Sequence, residues 1–375
     1  MKNDSSKKIR VGLIFGGRSG EHEVSIASAM SVYNALDKSR YEVILIGIDK
    51  TGRWLLPDKE RLLEYVKKPM ALRLGEMKGS YGLVPYPTGQ QMLPIENTTA
   101  QVPQLDVVLP ILHGTFGEDG TIQGLLEIAQ IPYVGAGVLG SAIGMDKDVA
   151  SRLLDAAGIG IVPTMCVRKH EFTSNAKNLE ERIKRQFQFP FFVKPANAGS
   201  SVGVHKVKSA EHLGPALKDA FSFDLKVLIQ RSVDARELEV SVLGNESPRA
   251  SIVGEIVPTH EFYSYEAKYL DENGAALKIP ADNLPPEVSE KVRDWAVRAF
   301  QVLECRGLAR VDFFLDRKTG EVFLNEINTI PGFTKISMYP KLWEATGLPY
   351  SELLDELIRL ALENFAQRKA LRTEK

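Results

Sequence analysis

Two acids, an arginine and an asparagine stand at matched positions around a turn in GLARVDFFLDRKTGEVFLNEIN, residues 307–328. Apolar and polar residues alternate on both sides of that turn, which is the pattern of a β-hairpin. With Lys318-Thr319-Gly320 as a three-residue loop, Gly320 falls where such a loop needs a left-handed residue. That register sets Asp312 opposite Glu326 and Arg310 opposite Asn328, with all four side chains on one face. Two carboxylates placed this way repel each other. Neutralisation by Arg310 is the structural alternative, but one arginine leaves an acid uncompensated and Asn328 without a role. A divalent cation resolves the conflict: Asp, Glu and Asn oxygens are hard ligands that suit Mg²⁺, and water and phosphate fill the remaining positions. The hairpin is therefore a candidate Mg²⁺–nucleotide platform.

Three further clusters have small residues beside polar ones. FFVKPANAGSSVGV (191–204) ends an apolar strand on Lys194, then gives a loop of small residues including Ser200 and Ser201. Such loops let backbone N–H groups approach phosphate, and Lys194 supplies a point charge. It lacks the Gly-Lys-Ser/Thr opening of a Walker A loop, and an ordinary hairpin loop fits this stretch equally well when it is taken alone. FGGRSGEHEVS (15–25) lies between a strand and a helix, at the carboxyl edge of a parallel sheet where ligands bind. There Glu23 reads as a dipole-complementing acid, and Glu21 less so. HGTFGEDGT (113–121) again follows a strand and precedes a helix, which suggests a site loop, although Glu118 and Asp119 also suit capping.

The elements that must carry these clusters follow from periodicity. Strands are expected at 11–15, 42–48 and 106–112 and a helix at 21–36, a βαβ rhythm that implies a parallel sheet under helices. Residues 53–103 give no clear reading. A helix is expected at 146–157, stopped by Gly158, and strands at 191–194, 202–207, 238–243 and 251–257. Apolar spacing predicts a helix at 287–305, stopped by Gly307.

Composition excludes several classes. The 375 residues exceed one ordinary core, so two or three domains are expected. Lys and Arg number 47 against 48 Asp and Glu, so no global field favours nucleic acid or an anionic membrane. Cys166 and Cys305 form no CxxC or Cys/His cluster, so structural zinc is not expected and reduced thiols are. The first eight residues do not resemble a signal peptide, no apolar run spans a bilayer, and a cytoplasmic protein is expected.

Taken in order, the clusters resemble the ATP-grasp superfamily and, within it, the D-alanine–D-alanine ligases. The resemblance rests on GGRSGEHEVS (16–25), HG with GEDG (113–120), MDK (145–147), VKP with GSSVG (193–203), YEAKY (265–269) and NEINTIPGFT (325–334). Six motifs in order, across nearly the whole chain, are specific where one would be weak. The resemblance implies an α/β ATP-grasp fold: an N-terminal α/β domain (1–138), a central ATP-binding domain (139–230) and a C-terminal domain (231–375) with a mobile loop at about 257–280. It implies ATP with Mg²⁺ or Mn²⁺, two ions per site, held by Asp312, Glu326 and Asn328.

On the same resemblance Lys147, Lys194, Ser200, Ser201, Lys268, Asn325 and Glu326 meet the phosphates, and Gln230, Val233 and Glu237 meet adenine and ribose. Many relatives carry Glu where this chain has Gln230; an amide still accepts from the adenine amino group. The first D-alanine is expected near Glu21 and His113, with Arg310 and the Gly332 N–H facing its reacting carboxyl group. Ser337, Met338 and Lys268 would hold the second. Tyr269, Ser200 and Glu21 would fasten the loop over the site. The implied activity is ATP-dependent joining of two D-alanines through an acyl phosphate, for peptidoglycan precursors, by a homodimer. A depsipeptide-forming relative, a non-catalytic nucleotide-binding module and a Rossmann dehydrogenase are the competing readings. Tyr269, the full Arg310-Asp312-Glu326-Asn328 set and the missing GxGxxG disfavour them in turn.

Overall fold

The structure is a computed structural model. It describes residues 7–57, 60, 74, 79–85, 91–96, 102–258 and 275–372. Three sheets organise it, consistent with the expected mixed α/β class.

The first sheet contains β1 (Ile9–Gly16), β2 (Tyr41–Ile48), β3 (Trp54–Leu55), β4 (Ser80–Leu83), β5 (Met92–Glu96) and β6 (Val107–Ile111), in the order β5-β4-β3-β2-β1-β6. Its parallel part is β2-β1-β6, joined through helix α1 (His22–Ala35). The expectation of a parallel sheet is corrected at the other edge, where β3, β4 and β5 add antiparallel strands. These come from the segment whose periodicity gave no reading: they are two to five residues long, too short to show alternation. Helix α2 (Thr121–Ile128) follows β6.

The second sheet is antiparallel: β7 (Thr164–Arg168), β8 (Phe191–Pro195), β9 (His205–Val207) and β10 (Lys226–Arg231), ordered β7-β10-β8-β9. Helices α5 (Lys169–Gln186) and α6 (Ala210–Phe223), which follow α3 (Val138–Met145) and α4 (Lys147–Ala156) in the chain, cover one face. Val167, Val193, Val227 and Ile229 pack there against Ile183, Leu213 and Leu217. Strand alternation sends Lys194, Leu228 and Gln230 to the opposite face. The strand expected at 202–207 is only His205–Val207, because Ser200, Ser201 and Gly203 have φ of 48°, 60° and 69° and turn the chain instead.

The third sheet holds β11 (Ala235–Gly244), β12 (Arg249–Pro258), β13 (Ala275–Lys278), β14 (Gly307–Asp316) and β15 (Val322–Asn328), ordered β13-β12-β11-β14-β15. Helix α7 (Pro286–Val302) packs Val292, Ala296 and Phe300 on Leu238, Val240, Val242 and Val311. It ends before the expected 305: Glu304 has φ of 54°, and Gly307 opens β14 instead of serving as the stop. Helices α3 (Val138–Met145) and α4 (Lys147–Ala156) lie on this sheet too, with Ala150 and Leu154 in its core. On the other face, α8 (Met338–Ala345) contacts β11 and β12. Helix α9 (Tyr350–Lys369) returns to the first sheet, where Leu353, Leu357 and Ile358 join Val11, Leu13 and Val107.

Candidate active site

The hairpin β14–β15 places its four polar residues as expected, by a different route. Arg310 pairs with Asn328 and Asp312 with Glu326. Beyond Asp312 the register slips by one: Phe313 pairs with Leu324 and Leu315 with Val322. Asn325 is the extra residue of this bulge. The turn is correspondingly longer than the three residues expected. The Asp316 N–H donates to Glu321 O at 2.9 Å, and the Asp316 carboxylate accepts the N–H groups of Lys318 and Thr319 at 2.8 and 3.0 Å. The longer turn and the bulge cancel, so the site register survives. Val311, Phe313, Leu324 and Ile327 face the core, which leaves the polar set on the cleft side.

The electrostatics differ from expectation. Arg310 chelates Asp312, Nε to Oδ1 and an Nη to Oδ2, both at 2.7 Å. Its Nε also lies 2.9 Å from Glu239 Oε2 on β11, directly across from Asp312. Burial opposes the charge, but Asp312 and Glu239 hold the guanidinium well above its ordinary pKa. Asn328 Nδ2 donates to Asp312 Oδ2 at 2.9 Å, and Lys147 Nζ lies 3.5 Å from Glu326 Oε2. The carboxylates are thus compensated by protein cations, so contrary to expectation their closeness does not require a metal ion. Glu239 is a third acid in the row, which only the pairing of β11 with β14 brings beside Asp312.

Lys147 opens α4. Its preceding residue Asp146 caps the helix by accepting from Asp148 N and Val149 N, and also pairs with the buried Lys226 of β10. This ties the lysine-bearing helix to the second sheet. Lys147 Nζ donates to Ala198 O at 2.8 Å, so it joins the small-residue loop to the hairpin. Lys194 is buried nearby. Burial pulls its ammonium down to about 8, Glu326 opposing and the charge of Lys147 adding.

At the first-sheet side, Glu21 stands at the N-cap of α1 but makes no side-chain cap. Its carboxylate instead accepts a hydrogen bond from the Ser200 hydroxyl. Gly114 and Gly199 both press on it: a Cβ at either would sit 2.7 Å from Glu21 Oε2. Glu23 pairs with Lys50 at the surface and takes no part. His113 is buried with both ring nitrogens engaged, Nδ1 with Ile330 O at 2.9 Å and Nε2 with Ser28 Oγ at 3.2 Å. A carbonyl only accepts, so Nδ1 carries the proton. Glu118, read as a possible cap, is a clamp: its carboxylate accepts Gly114 N at 2.6 Å and Ile330 N at 3.1 Å. Burial, with the charge of Glu21 adding, raises it to about 8. His113 and Glu118 together fasten the segment that carries Gly332.

Ser337 is the N-cap of α8, Met338 its first residue, and Gly332 approaches Ser337 closely enough that a Cβ would meet Oγ at 3.1 Å. Gln230 lies on the face of the second sheet away from α5 and α6, and Glu237 on β11 shares the strand face of Glu239. Val233 sits in the link between those strands. Lys268 and Tyr269 lie outside the described residues, as does most of the expected loop. Among the described residues no group of three or more His, Cys, Asp or Glu forms a ready cation site. Two carboxylates and an amide, completed by phosphate and water, still fit a hard divalent ion.

Comparison with known proteins is consistent with this arrangement. Family models described as D-ala D-ala ligase N-terminus and D-ala D-ala ligase C-terminus match residues 10–136 and 153–359. A D-alanine–D-alanine ligase A from Chromobacterium violaceum is 52% identical over 97% of this chain and 98% of its own. A D-alanine–D-alanine ligase from Shouchella clausii is 49% identical over 98% of each. The solved D-alanine–D-alanine ligase of Coxiella burnetii superposes with a TM-score of 0.81 at 36% identity, covering 96% of both chains. VanG D-Ala:D-Ser ligase from Enterococcus faecalis also gives 0.81, at 33% identity over 95% of this chain and 100% of its own. With both family models matched in order and half of all residues shared along the full length, the chain belongs to the D-alanine–D-alanine ligase family.

Proposed function

We propose that this protein joins two D-alanines with ATP, through a D-alanyl phosphate, releasing ADP and phosphate for peptidoglycan precursor synthesis. The observation that carries the reading is Lys147, whose one ammonium reaches both the small-residue loop and the carboxylate hairpin. Such a bridge marks where an anion can enter between them.

A carboxylate acylates poorly because its leaving group is oxide. Transfer of the γ-phosphoryl group to the first D-alanine makes phosphate the leaving group. Lys147 and Lys194 align and neutralise the phosphates, and Asn325 borders them. Asp312, Glu326 and Asn328 would hold Mg²⁺ or Mn²⁺, which neutralises charge on the transferring phosphoryl group. Glu21, oriented by Ser200, receives the amino group of the first D-alanine. The second amine then attacks the acyl carbon, and Arg310 with the Gly332 N–H stabilises the oxyanion; one such donor is worth roughly 2.7–4 kcal/mol of barrier. Ser337 and the Met338 N–H, at a helix N-terminus, suit the second carboxylate. Lys268 and Tyr269 belong to the same reading, Tyr269 favouring an amine over a hydroxy acid.

The proposed domains are 1–138, 139–230 and 231–375, with ATP between the last two, although α3 and α4 pack on the third sheet and α9 packs back on the first. No described helix is long and apolar enough to cross a membrane, and both cysteines are free; the free thiols suit the reducing cytoplasm, and a homodimer is the proposed working form. The test is ADP release across D- and L-amino acids, singly and in pairs, with D-serine and D-lactate as competitors. Turnover requiring ATP and D-alanine supports the reading; ATP binding without turnover overturns it.

A further inference from the structure

The face of the second sheet away from α5 and α6 runs from a phosphate end to a second polar end. Leu228 lies opposite Lys194, and the next residue on that face, Gln230, lies opposite Phe192 on one side and Thr164 on the other. Two residues of strand span about 7 Å. A nucleotide with its phosphates at Lys147 and Lys194 that extends along β10 therefore brings its base toward Gln230, which is 7% exposed.

A glutamine amide has two different ends, and Thr164 decides which one faces the ligand. Thr164 Oγ1 lies 2.7 Å from Val162 O. A carbonyl oxygen only accepts, so the hydroxyl uses its single proton there. Toward Gln230, 3.3 Å away, Thr164 can then only accept, which requires Nε2 on that side. Oε1 is the remaining end, and no donor among the described residues reaches it. Adenine presents an amino group at C6, whereas hypoxanthine and guanine present a carbonyl oxygen. A carboxylate at 230 would accept from either oxygen, but an amide needs a partner to fix its direction.

We propose that Thr164 is a positioning residue that sets base specificity, holding Gln230 with its oxygen outward so that 6-amino purines are selected over 6-oxo purines. This rests on the ligase reading above, in which ATP is the phosphoryl donor. The measurement is kcat/KM for ATP divided by that for inosine triphosphate, at saturating D-alanine, on one preparation of each variant, so that any unfolded fraction cancels. Wild type should prefer ATP by about tenfold or more. Thr164→Val should lower the preference roughly fivefold, mainly through KM, since the amide can then turn either end outward. Thr164→Ser should keep it. A wild-type ratio near one overturns the proposal. So does an unchanged ratio in Thr164→Val beside a collapsed one in Gln230→Met, which would leave the nucleotide placement standing. An unchanged ratio in Gln230→Met removes both.

Discussion

Ser200 donates a hydrogen bond to the carboxylate of Glu21, although 179 positions separate them in the chain. The contact joins the first sheet to the small-residue loop of the second. Ser200→Ala should raise the KM for the first D-alanine, with a loss in kcat/KM of about 10- to 100-fold, the usual worth of a hydrogen bond to a charged group. Glu21→Gln should be worse, since the ammonium loses its counter-charge. D-alanine titrations that leave KM unchanged in both variants would remove this assignment.

Gly199 lies against the same carboxylate, and its φ is not in the left-handed region, so a side chain there meets Glu21 and little else. Gly199→Ala should displace the carboxylate by raising crowding at 2.7 Å from Oε2 while leaving the folded state nearly as stable. The expected signature is a D-alanine KM raised at least several-fold with the thermal midpoint within about 2 °C of wild type. A large drop in midpoint would instead mean that the loop carries the fold.

Glu326→Gln should abolish ligation in a protein that remains folded by circular dichroism, because a hard cation loses one of two charged ligands. Chelation of divalent ions should stop turnover, and Mg²⁺ or Mn²⁺ should restore it. Near wild-type turnover by the folded variant would end the metal assignment.

Lys194 gives a pH-dependent prediction with a fixed sign. The unfolded chain keeps this proton up to about 10.5, but the folded one only to about 8. The charged form therefore opposes folding at neutral pH, and that opposition fades as pH rises from about 8 toward 10.5. Lys194→Met should be more stable than wild type at pH 7, by on the order of 1–2 kcal/mol, and should lose ATP affinity. Wild-type ATP affinity should weaken as pH passes 8, where the ammonium is lost. A variant that is less stable at pH 7 would show that the lysine is a structural residue.

The site was legible where local chemistry dictates it. Asp312, Glu326, Arg310 and Asn328 were found together because strand alternation alone puts them on one face. Their compensation was not legible, since Lys147 reaches Glu326 from a helix and Glu239 reaches Arg310 from a neighbouring strand. The Asn325 bulge was equally hidden: a turn one residue longer and a bulge of one residue leave the same alternation near the site. His113 carried a binding expectation from its motif, yet its ring is committed to Ser28 and Ile330, a pairing between the first sheet and the segment after β15 that no local pattern announces. Short strands β3 to β5 were lost for the opposite reason, having too few residues to show a period.

Helix α9 has a consequence for how the molecule is made. Leu353, Leu357 and Ile358 complete an interior built mainly from residues 9–134, together with Leu243, Leu308, Phe333, Tyr339 and Trp343. A nascent chain emerging from the ribosome therefore presents this sheet with the face beside α1 only partly covered until the twenty-residue α9 has been synthesised. The sheet is translated well before the helix that seals it, so a premature stop ahead of α9 that spares every residue of the cleft would still leave a sticky, protease-sensitive product.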